Sequence, residues 1–264
     1  MSAAGYDDYA SIAGLYDHVT PYRDRVDVQF YVEAATQARG PVLELGCGTG
    51  RILIPAARAG ANITGLDSSQ HMLGACRRKL ENEPADVRQR VTLVEGDLRD
   101  FHFPHSFRLV TIPFRPFQHI TTVEEQLSCL ASIHRALADD GRLVFDLFNP
   151  SLDALVNMQE GVEGDPEPEF TTPDGRRVVR RHKMVSKDRF NQVNQSELIY
   201  YVTHPDGREE RVVHAFPMRY VFRFEAEHLL ARAGFAVEHL YADWDKSPYG
   251  SKYPGELIFV ARKA

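Results

Sequence analysis

The chain is poor in the residues that make covalent staples and membrane spans. Of its 264 residues only three are cysteine. Cys47, Cys76 and Cys129 are an odd set without metal-ligand spacing, so neither a disulfide framework nor a metal site is indicated, and a reducing compartment fits. No uncharged apolar run approaches the roughly 20 residues that a membrane-crossing helix needs. The stretch from Met1 to Asp8 lacks a basic region followed by an apolar core, so the expectation is a cytoplasmic, unexported protein. Positive charge is not in excess either. A formal net charge of −6 gives no global field to attract nucleic acid or anionic lipid, which leaves a small molecule as the default partner. What is present is 43% hydrophobic and 26% charged content, enough for a full core in one generous domain with room for an inserted subdomain.

Residues 42–50, Val-Leu-Glu-Leu-Gly-Cys-Gly-Thr-Gly, read as a short buried strand running into a glycine-rich turn that opens a helix. Three glycines at alternate positions let the backbone turn sharply and approach a ligand with no Cβ in the way. Spacing decides which ligand. The dinucleotide fingerprint Gly-x-Gly-x-x-Gly fails in both registers, because its third glycine would fall on Arg51 or on Leu53. A phosphate loop fails as well, since no Lys follows Gly50 within reach.

The remaining pattern, Glu-x-Gly-x-Gly-x-Gly, resembles the first motif of the class I S-adenosylmethionine-dependent methyltransferases. That resemblance implies a Rossmann-like α/β fold with a seven-stranded sheet in the order 3-2-1-4-5-7-6, the last strand antiparallel. It also implies a loop, Glu44, Gly46, Cys47 and Gly48, that cradles the amino acid and ribose part of S-adenosylmethionine. Asp67 ends the second strand, where one carboxylate can accept from both hydroxyls of a ribose diol. Ser68 or Ser69 caps the next helix, and Ser68, beside Asp67, is also an expected cofactor contact. Met72 is either core filler or, as the resemblance implies, the residue against the adenine ring. Asp97, after Gly96 at the end of the third strand, either caps a turn or accepts from the adenine amino group, with the Leu98 amide on a ring nitrogen. Tyr22 and Pro113 complete the expected cofactor contacts.

Residues 8–20 and 24–39 read as two helices packing in front of the sheet, the second with Val26, Phe30, Tyr31, Ala34 and Ala38 on one stripe. A helix follows Gly50 to about Arg58, and Thr122 with Glu125 forms a capping box ahead of another whose buried stripe is Leu127, Leu130, Ile133 and Leu137. Further strands are expected near 61–66, 91–94, 109–114 and 142–148. The loop Arg115-Pro116-Phe117-Gln118-His119 lies beyond a strand's carboxyl end, where ligands of parallel sheets bind. His119 is the best-placed titratable group there, either a structural hydrogen-bonder or, as the resemblance to methyltransferases that dimethylate amino sugars implies, a pocket residue that handles a proton. Tyr16 and Arg115 join it as expected acceptor contacts. Arg219, among apolar residues, wants an anionic partner, either a core carboxylate or a substrate carboxylate.

From residue 151 to 221 the pattern changes to segments rich in Val, Tyr and Thr, punctuated by Pro173-Asp174-Gly175 and Pro205-Asp206-Gly207. Strands are expected near 176–187, 191–204 and 208–222, as an antiparallel insertion that caps the active site, forms a homodimer contact, or does both. Residues 1–150 and 222–264 then form the methyltransferase core. The insertion's arginines and lysines read as solvated strand faces, since no aromatic ladder accompanies them. The leading function is methyl transfer to N or O of a small molecule. The rivals are a tRNA or rRNA methyltransferase and a cofactor-binding module without activity.

Overall fold

A computed structural model describes residues 10–264. The chain enters through α1 (Ala10–Tyr16), α2 (Thr20–Arg23) and α3 (Asp27–Gln37). The expected first helix over 8–20 is therefore shorter; its residues 8 and 9 lie outside the described ones. Pro21 is the reason for the break, because a residue without an N–H sits well only in a helix's first turn and starts α2 rather than extending α1. On α3 the buried face is Asp27, Phe30, Tyr31 and Ala35. Val26, expected on that face, is 70% exposed as the residue ahead of the helix.

Next come β1 (Val42–Leu45), α4 (Leu53–Arg58), β2 (Ile63–Asp67), α5 (Gln70–Glu81), α6 (Ala85–Gln89) and β3 (Val91–Glu95). Gly60 follows α4 with φ +100°, a left-handed stop of the kind glycine favours. Ser69 caps α5 by accepting from the Met72 amide. Then β4 (Phe107–Ile112) runs into a 3₁₀ turn over Pro116–His119, and α7 (Val123–Ala136) starts on the Thr122–Glu125 capping box and leads into β5 (Leu137–Phe148).

After α8 (Leu152–Asn157) come β6 (Phe170–Thr171), β7 (Arg177–Asp188), β8 (Val193–Thr203) and β9 (Glu209–Arg219). They form a four-stranded antiparallel sheet in sequence order. Both Pro-Asp-Gly turns adopt one geometry: Gly175 and Gly207 have φ +84° and +85°, and each amide donates back to a residue three positions earlier, Thr172 and His204. α9 (Arg223–Arg232), β10 (Phe235–Tyr241) and β11 (Glu256–Lys263) return the chain to the first sheet.

That sheet has the order β3-β2-β1-β4-β5-β11-β10, with β1 to β5 parallel and β11 antiparallel to both neighbours. Counted within the sheet it is 3-2-1-4-5-7-6, as expected. Alternation along the buried strands divides the core. Leu43 and Leu45 face α7 and α9 with Phe107, Phe145 and Phe259, while Val42, Ile63 and Val144 face α3, α4 and α5. A third cluster joins the insertion to the N-terminal segment: Ile12, Leu15 and Val19 pack on Val178, Leu198, Tyr200 and Val212. Ile12 and Leu15 are wholly buried there, each worth about 1.5–3 kcal/mol of burial. Among the described residues no helix is long and apolar enough to cross a membrane.

Candidate active site

The glycine turn is tied to both of its neighbours. Gly46 and Cys47 donate their amides to the Leu66 carbonyl at 2.8 and 3.2 Å, which fixes the turn to the end of β2. Asp67 braces the next residue: its Oδ2 accepts from the Gly48 amide at 2.7 Å and its Oδ1 from the Ser69 amide at 2.9 Å. Two positions require glycine on two counts. Gly46 has φ +71° and a Cβ there would lie 2.7 Å from Pro116 Cγ; Gly50 has φ +82° and its Cβ would lie 2.6 Å from Cys76 Sγ.

A cavity opens over this turn at the carboxyl ends of the parallel strands, with about 990 Å³ of empty space counted to its solvent-open mouth. Of the expected cofactor contacts, Glu44, Gly46, Cys47, Gly48, Asp67, Ser68, Met72, Asp97, Leu98 and Pro113 all line it. Tyr22 does not. Its ring sits behind the wall, 4.8 Å from the Tyr16 ring and 4.9 Å from that of Phe114, with the Arg180 guanidinium over it at 4.4 Å.

Glu44 is the anomaly of the floor. It is 2% exposed, and its Oε2 has no hydrogen-bond partner among the described residues. Burial pushes its carboxyl up to about 8, with Asp27 and Asp67 adding to the shift and Arg51 opposing it. A carboxyl poised in this way suits a cationic group on an incoming ligand. Asp97 is held low, first by the Arg99 guanidinium that hydrogen-bonds it, and it also takes the Arg99 amide at 2.8 Å. It thus caps its turn and faces the cavity at once.

On the far wall, Pro113, Phe114, Pro116, His119 and Ile120 close the space, and Tyr16 lines it from α1. His119 Nδ1 donates to the Pro217 carbonyl at 2.9 Å; a carbonyl can only accept, so the neutral ring carries its lone pair on Nε2. Burial lowers the His119 pKa, which keeps that ring neutral. Arg115 is not in the cavity. It turns away to form a two-pronged pair with Glu256 at 2.8 and 2.9 Å. Arg219 is not there either. Its Nη1 donates to the Thr121 carbonyl at 3.0 Å, a backbone partner where a carboxylate was expected.

Arg51, Arg99 and Phe114 are among the lining residues that had no part in the sequence reading as ligands. Arg51 grips Asp27 with two hydrogen bonds of 2.6 and 2.7 Å, and Asp27 is fully buried. Its proximity to the glycine turn was a usable signal. Phe114 lies near two guanidiniums, Arg25 at 5.0 Å and Arg51 at 5.2 Å from its ring centre, and no periodicity reports such an arrangement.

The open sheet with its reversed last strand, the glycine turn, and acidic residues ending β2 and β3 are the features of the class I S-adenosylmethionine-dependent methyltransferase fold. Residues 42–141 match the family model of a methyltransferase domain. Among its relatives is the putative methyltransferase YqeM of Bacillus subtilis (strain 168), 24% identical over 97% of each chain. Another is the dTDP-3-amino-3,4,6-trideoxy-alpha-D-glucopyranose N,N-dimethyltransferase of Streptomyces venezuelae, 26% identical over 81% of this chain and 83% of that one. The solved CcbJ methyltransferase from Streptomyces caelestis shares the fold with a TM-score of 0.78, at 23% identity over the whole of both chains. The residues present fit the cofactor: a buried Glu44 carboxyl oxygen without a hydrogen-bond partner among the described residues on the floor, and a turn whose glycines bring the backbone to the cavity with no Cβ in the way.

Proposed function

We propose that this enzyme methylates a nitrogen or oxygen of a small polar acceptor, which enters between the cofactor turn and the inserted sheet of residues 151–221. The observation that carries the reading is His119. Its Nδ1 is committed to the backbone, so Nε2 is the acceptor on a half-buried ring at the cavity wall. When bound, S-adenosylmethionine supplies an electrophilic methyl group on a sulfonium. Glu44 would accept from its ammonium, Asp67 from its ribose hydroxyls, and Asp97 from the adenine amino group, with Met72 and Leu98 against the ring. An acceptor arriving as an ammonium or hydroxyl must lose a proton, and His119 Nε2 receives it. Alignment in a dry pocket supplies much of the remaining acceleration. The aminosugar N,N-dimethyltransferase among the relatives supports a small-molecule acceptor. The basic residues of the insertion do not favour RNA, because Arg180 pairs with Glu167, Lys183 with Glu197 and Arg176 with Asp174, while Lys187 donates to backbone carbonyls.

Mass spectrometry of metabolite extracts incubated with the protein and methyl-labelled S-adenosylmethionine tests this. A labelled small molecule formed by the wild type and lost in His119→Ala is expected. Labelling confined to added tRNA or rRNA, or no labelling at all, refutes it.

A further inference from the structure

Beneath the acceptor wall lies a largely buried ionic cluster set apart from the expected cofactor contacts. Asp146, near the end of β5, is fully buried. Its Oδ1 accepts from the Phe114 amide at 2.7 Å and from the Tyr31 hydroxyl at 2.7 Å. Its Oδ2 has no hydrogen bond among the described residues and instead faces two guanidiniums, Arg25 at 3.6 Å and Arg115 at 3.8 Å. Arg25 continues to Asp27 at 2.9 Å, and Arg115 to Glu256 at 2.8 Å.

What this cluster holds is unusual backbone. Phe114 and Arg115 are consecutive residues with φ +66° and +70°, a left-handed pair without a glycine. Such a pair persists only where the surroundings over-determine it. Here the Phe114 amide is fixed by Asp146, its ring lies near Arg25 and Arg51, and the Arg115 side chain is fixed by Glu256. The left-handed step directs the chain into the 3₁₀ turn that carries Pro116 and His119 to the cavity.

We infer that Asp146 is a positioning residue for methyl transfer: through the Phe114 amide and the Arg25–Arg115 pair it holds the left-handed step that sets the acceptor wall and His119. This rests on the reading that the acceptor meets the His119 side. A carboxylate is required because Oδ1 accepts from two donors while Oδ2 faces two guanidiniums. An asparagine offers an acceptor on one side only, so whichever way it lies, its amide NH₂ meets either the Phe114 and Tyr31 donors or the two guanidiniums.

The test compares wild type, Asp146→Asn and Tyr31→Phe by three measurements: deuterium exchange, calorimetric binding of S-adenosylhomocysteine, and initial rates on the labelled product of the extract assay. For Asp146→Asn, backbone exchange in 113–120 should rise tenfold or more while that in 42–50 is unchanged. Its kcat should fall tenfold or more, with the cofactor KM and the S-adenosylhomocysteine affinity within threefold of wild type. Tyr31→Phe, which keeps the charge and removes one donor, should shift the same readouts in the same direction by less, and it decides the matter if Asp146→Asn does not fold. Unchanged exchange in 113–120 overturns the inference. So does a loss of cofactor affinity in step with the rate, which marks a merely structural role. A wild type that labels nothing refutes the methylation reading instead, and the exchange measurement still decides whether Asp146 holds the segment.

Discussion

Glu44 makes the empty and loaded forms of this enzyme respond oppositely to pH. Its folded-state pKa is about 8, against an ordinary glutamate value of 4.5. A raised folded-state pKa stabilises the fold fully below pH 4.5, and that stability drains away as pH rises through 8. The single-site linkage relation gives a loss of about 4 kcal/mol between pH 5 and pH 9, most of it complete before pH 7. Glu44→Gln keeps the shape and cannot ionise. Denaturant unfolding of both ligand-free proteins over that range isolates the effect, since every other titrating group cancels in the difference. With a side-chain amide that does not titrate, the variant should gain about 4 kcal/mol on wild type from pH 5 to pH 9. Cofactor binding should reverse the protonation, because an ammonium beside the carboxyl favours its charged form. At pH 7 about nine in ten Glu44 side chains carry a proton before binding, so close to one proton is released, measurable as a dependence of calorimetric enthalpy on buffer ionisation. A difference curve flat to about 0.5 kcal/mol, together with no proton release, refutes the reasoning.

Asp67→Ala removes the acceptor of both the Gly48 and Ser69 amides, each bond to a charged group being worth about 1.5–3 kcal/mol. Its S-adenosylhomocysteine affinity should fall by roughly 100-fold or more by calorimetry; a change under about tenfold counts against the role. His119→Ala should lower kcat by about 10²-fold or more. The acid limb of the wild-type kcat profile should lie below the ordinary imidazole range, because burial depresses this ring, and the variant should lose that limb. Gly46→Ala places a Cβ against Pro116 in a left-handed turn and should cost about 2 kcal/mol in thermal or denaturant unfolding. Arg51→Met leaves Asp27 with Arg25 alone in the core and should destabilise by about 3 kcal/mol, read the same way.

Local chemistry made much of this site readable. The glycine turn, Asp67 and Asp97 are each fixed by a strand end and a few neighbours, and the Ser69 cap and the Thr122–Glu125 box are complete within four residues. The insertion's hairpins announced themselves through Pro-Asp-Gly. What could not be read depends on partners remote in sequence. Arg25 reaches Glu256 across 231 positions, and Asp27 meets Arg51 across 24. An arginine such as Arg115 looks like a ligand from the sequence because its carboxylate lies on another strand. Tyr22 is a similar case: an aromatic near the mouth is indistinguishable, in sequence, from one stacked behind it. Buried polar side chains also escaped a periodicity search, as Gln118 shows by bridging the Phe148 amide at 2.6 Å and the Arg219 carbonyl at 3.0 Å.

α1 occupies a place that neither segment of the core explains. Ala13 and Tyr16 on one side meet Met72 and Ala75 of the helix beside the cofactor turn, while Ile12 and Leu15 on the other are sealed by a sheet that begins more than a hundred residues later. The α1 side of the cavity, where Tyr16 sits, is therefore backed by a piece of chain that is never close to it in sequence. A change of acceptor by wholesale exchange has to carry both pieces together. Grafting the inserted sheet of a relative onto this core would set Ile12 and Leu15 against a foreign surface, so the two segments are expected to be inherited as a matched pair, while the turn beneath them serves any acceptor.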